Sequence, residues 1–279
     1  MMDLFDDRFD FYIHIDARSR IPEEDARRLK AHPRCRLVSR RYVNRWGGVN
    51  HLMAMLLLAK VAMETSDYDY LHVRSGQCYP VKTADTFDAF FEANRGVEFV
   101  DSFPLPNNEL WGEEGGLDRY RIFQTQTDLD AKNPRVEKWT KILYKVQKKL
   151  GIRRKLPKDF PAVYGGTQWV SYTKGLWKDI LDKWEAHPEW HRFFRFTFCA
   201  EEMVLPSLAY AYTQNVSTRE INFVDWTFRN GSRPANLDES DFVRIQNPDA
   251  LFARKVEYPL SQELLAKIDG ELLGRPMFR

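Results

Sequence analysis

The chain has 279 residues, 43% of them hydrophobic and 29% charged, with a formal net charge of +2. Such a length and apolar content can build a large buried core, and so slight a basic excess argues against a nucleic-acid binder. The three cysteines, Cys35, Cys78 and Cys199, form no CxxC pair, which leaves no zinc ribbon or disulfide framework and makes free thiols the default reading.

The opening MMDLFDDRFD is acidic and lacks the basic start and apolar run of a signal peptide. The longest apolar stretch, 52–59, is too short to span a bilayer, so the chain reads as soluble. Residues 9–15 (FDFYIHI) form an aromatic, β-branched run ending at Asp16: a buried strand that delivers a carboxylate at its end. Pro22 and the acids after it open a short helix, residues 35–38 read as a strand, and 47–64 carry apolar positions at helical spacing. A strand follows over 70–73, then a break at Ser75-Gly76-Gln77, a helix over about 83–94 and a strand over 97–100. This alternation predicts an α/β fold with a mostly parallel central sheet and helices on both faces. Ligands of such sheets bind beyond the carboxyl ends of the strands, where Asp16 and the Ser75–Tyr79 loop fall.

Residues 103–135 lack periodicity and are rich in Pro, Asn, Gly and acids, which suggests a long surface excursion, functional or mobile. A basic helix follows from about 136 and runs on into GIRRKLPK; its cations suit a solvated face or an anionic membrane surface. Residues 162–171 read as a glycine-broken strand or hairpin, 173–185 as a helix, and the aromatic run before Glu201 and Glu202 as a strand leading into an apolar helix. Two further strands are expected at INFVDW (221–226) and at LFARKV (251–256). No linker or repeat divides the chain, so a single domain over 1–279 is expected, with donor binding in about 1–102 and acceptor binding and catalysis in about 103–279.

Glu202 stands at the first turn of a helix, where the macrodipole favours a carboxylate, and it is read either as a structural cap or as a general base facing a cleft. Arg233, Arg254 and Lys255 are cations that suit a leaving diphosphate. Many sugar-nucleotide enzymes hold a divalent cation there through an Asp-x-Asp pair. Two such pairs occur, Asp67/Asp69 and Asp128/Asp130, but the first precedes its strand and the second follows none, so both read as surface carboxylates. No G-x-S-x-G, P-loop, G-x-G-x-x-G or HExxH pattern is present.

Seven segments taken together resemble the core-2/I-branching β-1,6-N-acetylglucosaminyltransferases, a family that includes peptide-O-xylosyltransferases and bacterial relatives. YIHID (12–16) resembles the strand ending in the nucleotide-contacting Asp, and RWGG with its helix (45–64) the family's W-G helix start. YDYLHVRSGQCYPV (68–81) is similar to S-G-Q-D-Y-P, GGTQWVSY (165–172) to G-S-Q-W, and FTFCAEE (196–202) to T-Y-x-P-D-E. INFVDW and LFARKV complete the series. The resemblance implies a GT-A-like nucleotide-sugar transferase fold and inverting, metal-independent transfer from a UDP-sugar, most simply UDP-N-acetylglucosamine, to a glycan hydroxyl. It makes Glu202 the catalytic base and Arg233 and Lys255 the diphosphate cations. It sets His14, Asp16, Gly76 and Gln77 in the donor site, and Trp226, Trp169 and Glu201 near the acceptor. No metal and no cofactor are expected.

Other UDP-hexoses or UDP-xylose, or a carbohydrate or nucleotide binder without turnover, are the alternatives. A lipid-linked glycan of bacterial surface polysaccharide synthesis is an expected acceptor. The expected location is cytoplasmic, with peripheral contact at the inner membrane face through 138–158. Three departures stand out, the mildest being Ala200-Glu201-Glu202 in place of P-D-E. The family's first strand is expected before YIHID and is not found, and Cys78 replaces the Asp of S-G-Q-D-Y-P.

Overall fold

The computed structural model describes residues 1–275. Among them lie eleven short strands: β1 (Phe11–His14), β2 (Cys35–Ser39), β3 (Tyr70–His72), β4 (Cys78–Pro80), β5 (Glu98–Phe99), β6 (Ser102–Pro104), β7 (Tyr164–Gly166), β8 (Ser171–Thr173), β9 (Val216–Ser217), β10 (Asn222–Val224) and β11 (Phe252–Arg254). The α-helices are α1 (Glu23–Ala31), α2 (Asn50–Thr65), α3 (Ala84–Ala93), α4 (Asn108–Trp111), α5 (Asp118–Arg121), α6 (Pro134–Lys149), α7 (Lys174–Ala186), α8 (Pro188–Phe194), α9 (Glu201–Tyr212), α10 (Phe242–Ile245) and α11 (Gln262–Lys267). The class is mixed α/β, as the sequence predicts. None of these helices is long and apolar enough to cross a membrane.

The mostly parallel central sheet is not what forms. Strands β1 and β2 pair in parallel by themselves. A second sheet runs β10-β11-β4, its first pair parallel and its second antiparallel. A third runs β3-β8-β5-β9, antiparallel around β8 and parallel only at β5–β9, and β6 pairs antiparallel with β7. Alternation of strands and helices does not say which strands become neighbours. Here the stretch that reads as a hairpin splits instead: β7 leaves to join β6, while β8 inserts between β3 and β5. Gly166 permits this, because a Cβ there would lie 2.5 Å from the Asp101 carbonyl oxygen.

The expected strand before Glu201 is also absent. Residues 195–200 are turns, held by local bonds such as Phe196 N–H to the Phe193 carbonyl and Thr197 N–H to the Phe194 carbonyl. The aromatic side chains of that run diverge rather than alternate. Phe194 packs on Phe160, Phe196 on Phe123 and Phe198 on Trp46.

The largest core joins α2, β8, α7, α8 and α9 through Leu52, Tyr172, Trp177, Trp190, Leu205 and Leu208. It fixes where α9 begins. Gly47 has φ +77°, which L side chains avoid, and a Cβ there would stand 2.4 Å from the Phe198 ring. The Gly47 carbonyl accepts the Cys199 N–H at 3.0 Å, which ties the turn before Glu201 to the start of α2.

Candidate active site

Helix α9 opens with two glutamates in different surroundings. The side chain of Glu202 is 26% exposed, and its Oε2 accepts a bond of 2.7 Å from Arg119 of α5. Burial pushes this carboxyl above its ordinary range, against the pull of Arg119 and Arg254. Arg119 is itself held, its guanidinium 3.5 Å from the centre of the Trp111 ring. Glu202 is therefore a partly accessible carboxylate of raised basicity beside two cations.

Glu201 is 2% exposed and points inward. Its Oε1 lies 3.8 Å from Nδ1 of His51, and its Oε2 has no partner among the described residues. Burial, reinforced by the charge of Glu202, pushes its pKa up to about 8. At neutral pH Glu201 thus holds a proton. Because the folded state binds that proton more tightly than the unfolded chain, this carboxyl favours folding below the usual carboxylate pKa, and the benefit is lost as pH rises toward 8. Glu201→Gln should therefore change stability little at pH 5 and raise it by a few kcal/mol, to order of magnitude, at pH 8.5. Urea unfolding at the two pH values checks this; an equal effect at both would remove the buried proton.

His51 also feels the charge of Asp16 and the ring of His14, and its pKa is lowered first of all by burial. His14, at the end of β1, accepts the Tyr42 N–H on Nε2 at 3.0 Å, with the Asn44 amide 3.3 Å from Nδ1. Burial lowers the pKa of this imidazole, against the pull of Asp16. For Asp16 burial works upward, but side-chain and backbone bonds from Arg18 hold it below its usual value. His14, Asp16, His51 and Glu201 thus form one polar strip beside the start of α9.

The other side of the site is the Ser75–Cys78 turn against β11. Gly76 is exposed, and a Cβ there would meet nothing within 4 Å. The Gln77 carbonyl accepts the Val256 N–H at 3.0 Å, which seats this turn on the residues following β11. Arg254 is 7% exposed, its guanidinium 3.6 Å from the centre of the Trp169 ring and its Nη1 3.3 Å from Ser75 Oγ. The Cys78 thiol lies 3.9 Å from the same Nη1. Lys255 donates to Ser232 Oγ at 3.0 Å, next to the exposed Arg233. The sequence-assigned cation Lys255 thus touches the residue that precedes Arg233 in the chain.

Trp169 and the 47% exposed Trp226 lie with ring centres 6.1 Å apart over a depression that Asp101, Thr167, Asn222 and Val224 also line. Three buried polar atoms in its wall, Thr167 Oγ1, Trp169 Nε1 and Asn222 Oδ1, have no partner among the described residues. Buried polar atoms are seldom left unpaired, and this cluster beside two aromatic faces offers hydrogen bonds to a water or a ligand hydroxyl.

The carboxylates of both Asp-x-Asp pairs already face cations: Asp67–Lys174 at 2.5 Å, Asp69–Arg95 at 3.3 Å, Asp128–Arg195 at 2.7 Å and Asp130–Arg18 at 3.1 Å. Among the described residues, donor atoms close enough to share an ion occur at Asp159, His187 and Glu189. None of these belongs to the cleft.

Sequence reading missed Arg119, His51, Thr167, Asn222 and Asp101 as parts of the site. Arg119 lies in the excursion, where no periodicity or motif marks it, and only the turn that brings its carbonyl to the Phe198 N–H at 2.9 Å sets it beside Glu202. Thr167 and Asn222 sit within GGTQW and INFVDW, so the motif boundaries held a signal for them that the individual residue types did not.

The sequence profile of the Core-2/I-branching enzyme family matches residues 4–246, and the chain belongs to that family. It is 26% identical over 290 residues to Xylosyltransferase 2 of Rattus norvegicus, which covers 95% of this chain and 30% of the relative. It is 25% identical over 294 residues to Xylosyltransferase 1 of Homo sapiens, covering 95% of this chain and 27% of the relative. The chain thus spans about 30% of the length of the curated relatives it matches. A glycosyltransferase is what this membership supports.

Proposed function

We propose that this member of the Core-2/I-branching enzyme family is an inverting, metal-independent glycosyltransferase of GT-A-like fold, acting as one catalytic unit. It moves a sugar from a UDP-sugar to a glycan or lipid-linked glycan hydroxyl. The observation that carries the reading is the row formed by Glu202, Arg254 and Trp169, which leads from a basic carboxylate to a depression of unpartnered polar atoms. Glu202 takes the proton from the acceptor hydroxyl as its oxygen bonds to the anomeric carbon, and the bond from that carbon to the UDP oxygen breaks on the opposite face. Arg233 and Lys255 meet the charge growing on the diphosphate, in the place of a metal. His14, Asp16, Gly76 and Gln77 hold the nucleotide end. Trp226 and Trp169 hold the acceptor, with Glu201 acting from below through Glu202.

N-acetylglucosamine is the sugar that motif resemblance suggests first. The names of the relatives favour xylose, and we place UDP-xylose ahead of it. The test is UDP titration by calorimetry in EDTA and in manganese, followed by UDP release from UDP-xylose and UDP-N-acetylglucosamine. Micromolar binding, near −8 kcal/mol, unchanged by EDTA and followed by release from either donor is the expected result. Binding that needs manganese would overturn the metal-free site, and binding without release would indicate a carbohydrate or nucleotide binder.

A further inference from the structure

Helix α6 is amphipathic in an unusual sense: its apolar stripe faces outward. Asn133 caps it by accepting the Arg135 N–H, Pro134 occupies its first position, and Gly151 at φ +68° ends it. Its inner side is polar. Gln147 is 3% exposed and brackets the Phe123 backbone, accepting its N–H and donating to its carbonyl, while Tyr144 donates to Asp118. Trp139, Ile142, Leu143, Val146 and Leu150 follow i, i+3, i+4 spacing on the opposite side, and Ile152 continues the patch beyond the helix. Trp139 and Leu150 are each 68% exposed, which is far from the burial that large apolar side chains usually reach.

The charge beside this stripe is one-signed. Residues 134–153 hold seven Lys and Arg side chains against one acid, Glu137, in a chain of formal net charge only +2. Lys141 is paired with Glu137 and Lys148 with Glu114. Arg135, Lys138, Lys145, Lys149 and Arg153 have no ion-pair partner among the described residues. The surface expected over 138–158 ends earlier than that, because Arg154 turns inward: it donates to the carbonyls of Phe193 and Phe196, with its guanidinium 3.9 Å from the centre of the Phe193 ring.

We infer that the outer face of α6, Arg135 to Arg153, is a docking surface for an anionic lipid bilayer. Trp139 and the leucines enter the interface, and the lysine flank meets the headgroup charge. A single-sign cationic flank beside an exposed tryptophan argues for this occupant over a second copy of the chain, which would have to bring these five unpaired cations against the same five.

The experiment is vesicle co-sedimentation of the whole chain. Neutral phosphatidylcholine vesicles are compared with vesicles that also contain phosphatidylserine, at low and high salt. Binding to the anionic vesicles alone, weakened by salt and by about fivefold for each of Lys138→Gln and Lys145→Gln, is expected. Trp139→Ala and Leu143→Ser should weaken it further, with UDP affinity unchanged because these positions lie outside the cleft. Equal binding to both vesicles, or none, would overturn the inference. So would concentration-dependent dimerisation abolished by Leu143→Ser without any vesicle binding, which would give the stripe to a second copy. Lost UDP affinity in the parent chain would count against the proposed activity, not against this surface.

Discussion

Glu202→Gln should lower turnover by about 10²–10⁴-fold while leaving UDP affinity nearly unchanged. The glutamine keeps the shape of the side chain and can still accept the bond from Arg119, but it cannot take the acceptor proton. Because burial raises the Glu202 carboxyl, the wild-type rate should also fall on the acid side at a higher pH than an ordinary carboxylate would give. Below that point the base is protonated and idle; above it the base is free. Initial rates across pH for both proteins check the two statements together. A variant that retains the wild-type rate would show that another group takes the proton.

Lys255→Met should reduce turnover by about 10²–10³-fold, the usual consequence of removing one group that stabilises developing charge. It differs from the first variant in what else it changes. Lys255 stands at Ser232 and adjoins the backbone that Gln77 holds, so it should weaken UDP binding as well as turnover. Calorimetry on the two variants separates the roles: binding retained for Glu202→Gln, binding reduced for Lys255→Met. Unchanged UDP affinity in the lysine variant would move the diphosphate site elsewhere.

Local elements were legible where one period dominated. The helical spacing over 47–64, the basic helix from about 136 and the short apolar runs at β1, β2 and β10 all formed close to where the sequence puts them. What failed was partnership. The GGTQWVSY stretch carries no mark saying that its two ends join different sheets; that follows from Gly166 approaching Asp101 and from Ser171 pairing with both His72 and Phe99. The aromatic run before Glu201 has strand composition, yet its rings are claimed by three separate partners, and the backbone closes on itself. The same holds for the site. Glu202, Lys255 and Trp169 stand in motifs that single them out, while Arg119 and His51 come beside the two glutamates only through distances that folding creates.

Arg119 gives the excursion over 103–135 a meaning that its irregular sequence conceals. The segment contributes both the guanidinium that grips Glu202 and the Trp111 ring on which that guanidinium rests. The charge set against burial at the Glu202 carboxyl thus comes in part from this irregular segment. Relatives that differ only there would share a catalyst and yet work best at different pH, and an acceptor that displaced Arg119 on arrival would make Glu202 a stronger base at the moment its hydroxyl is in place.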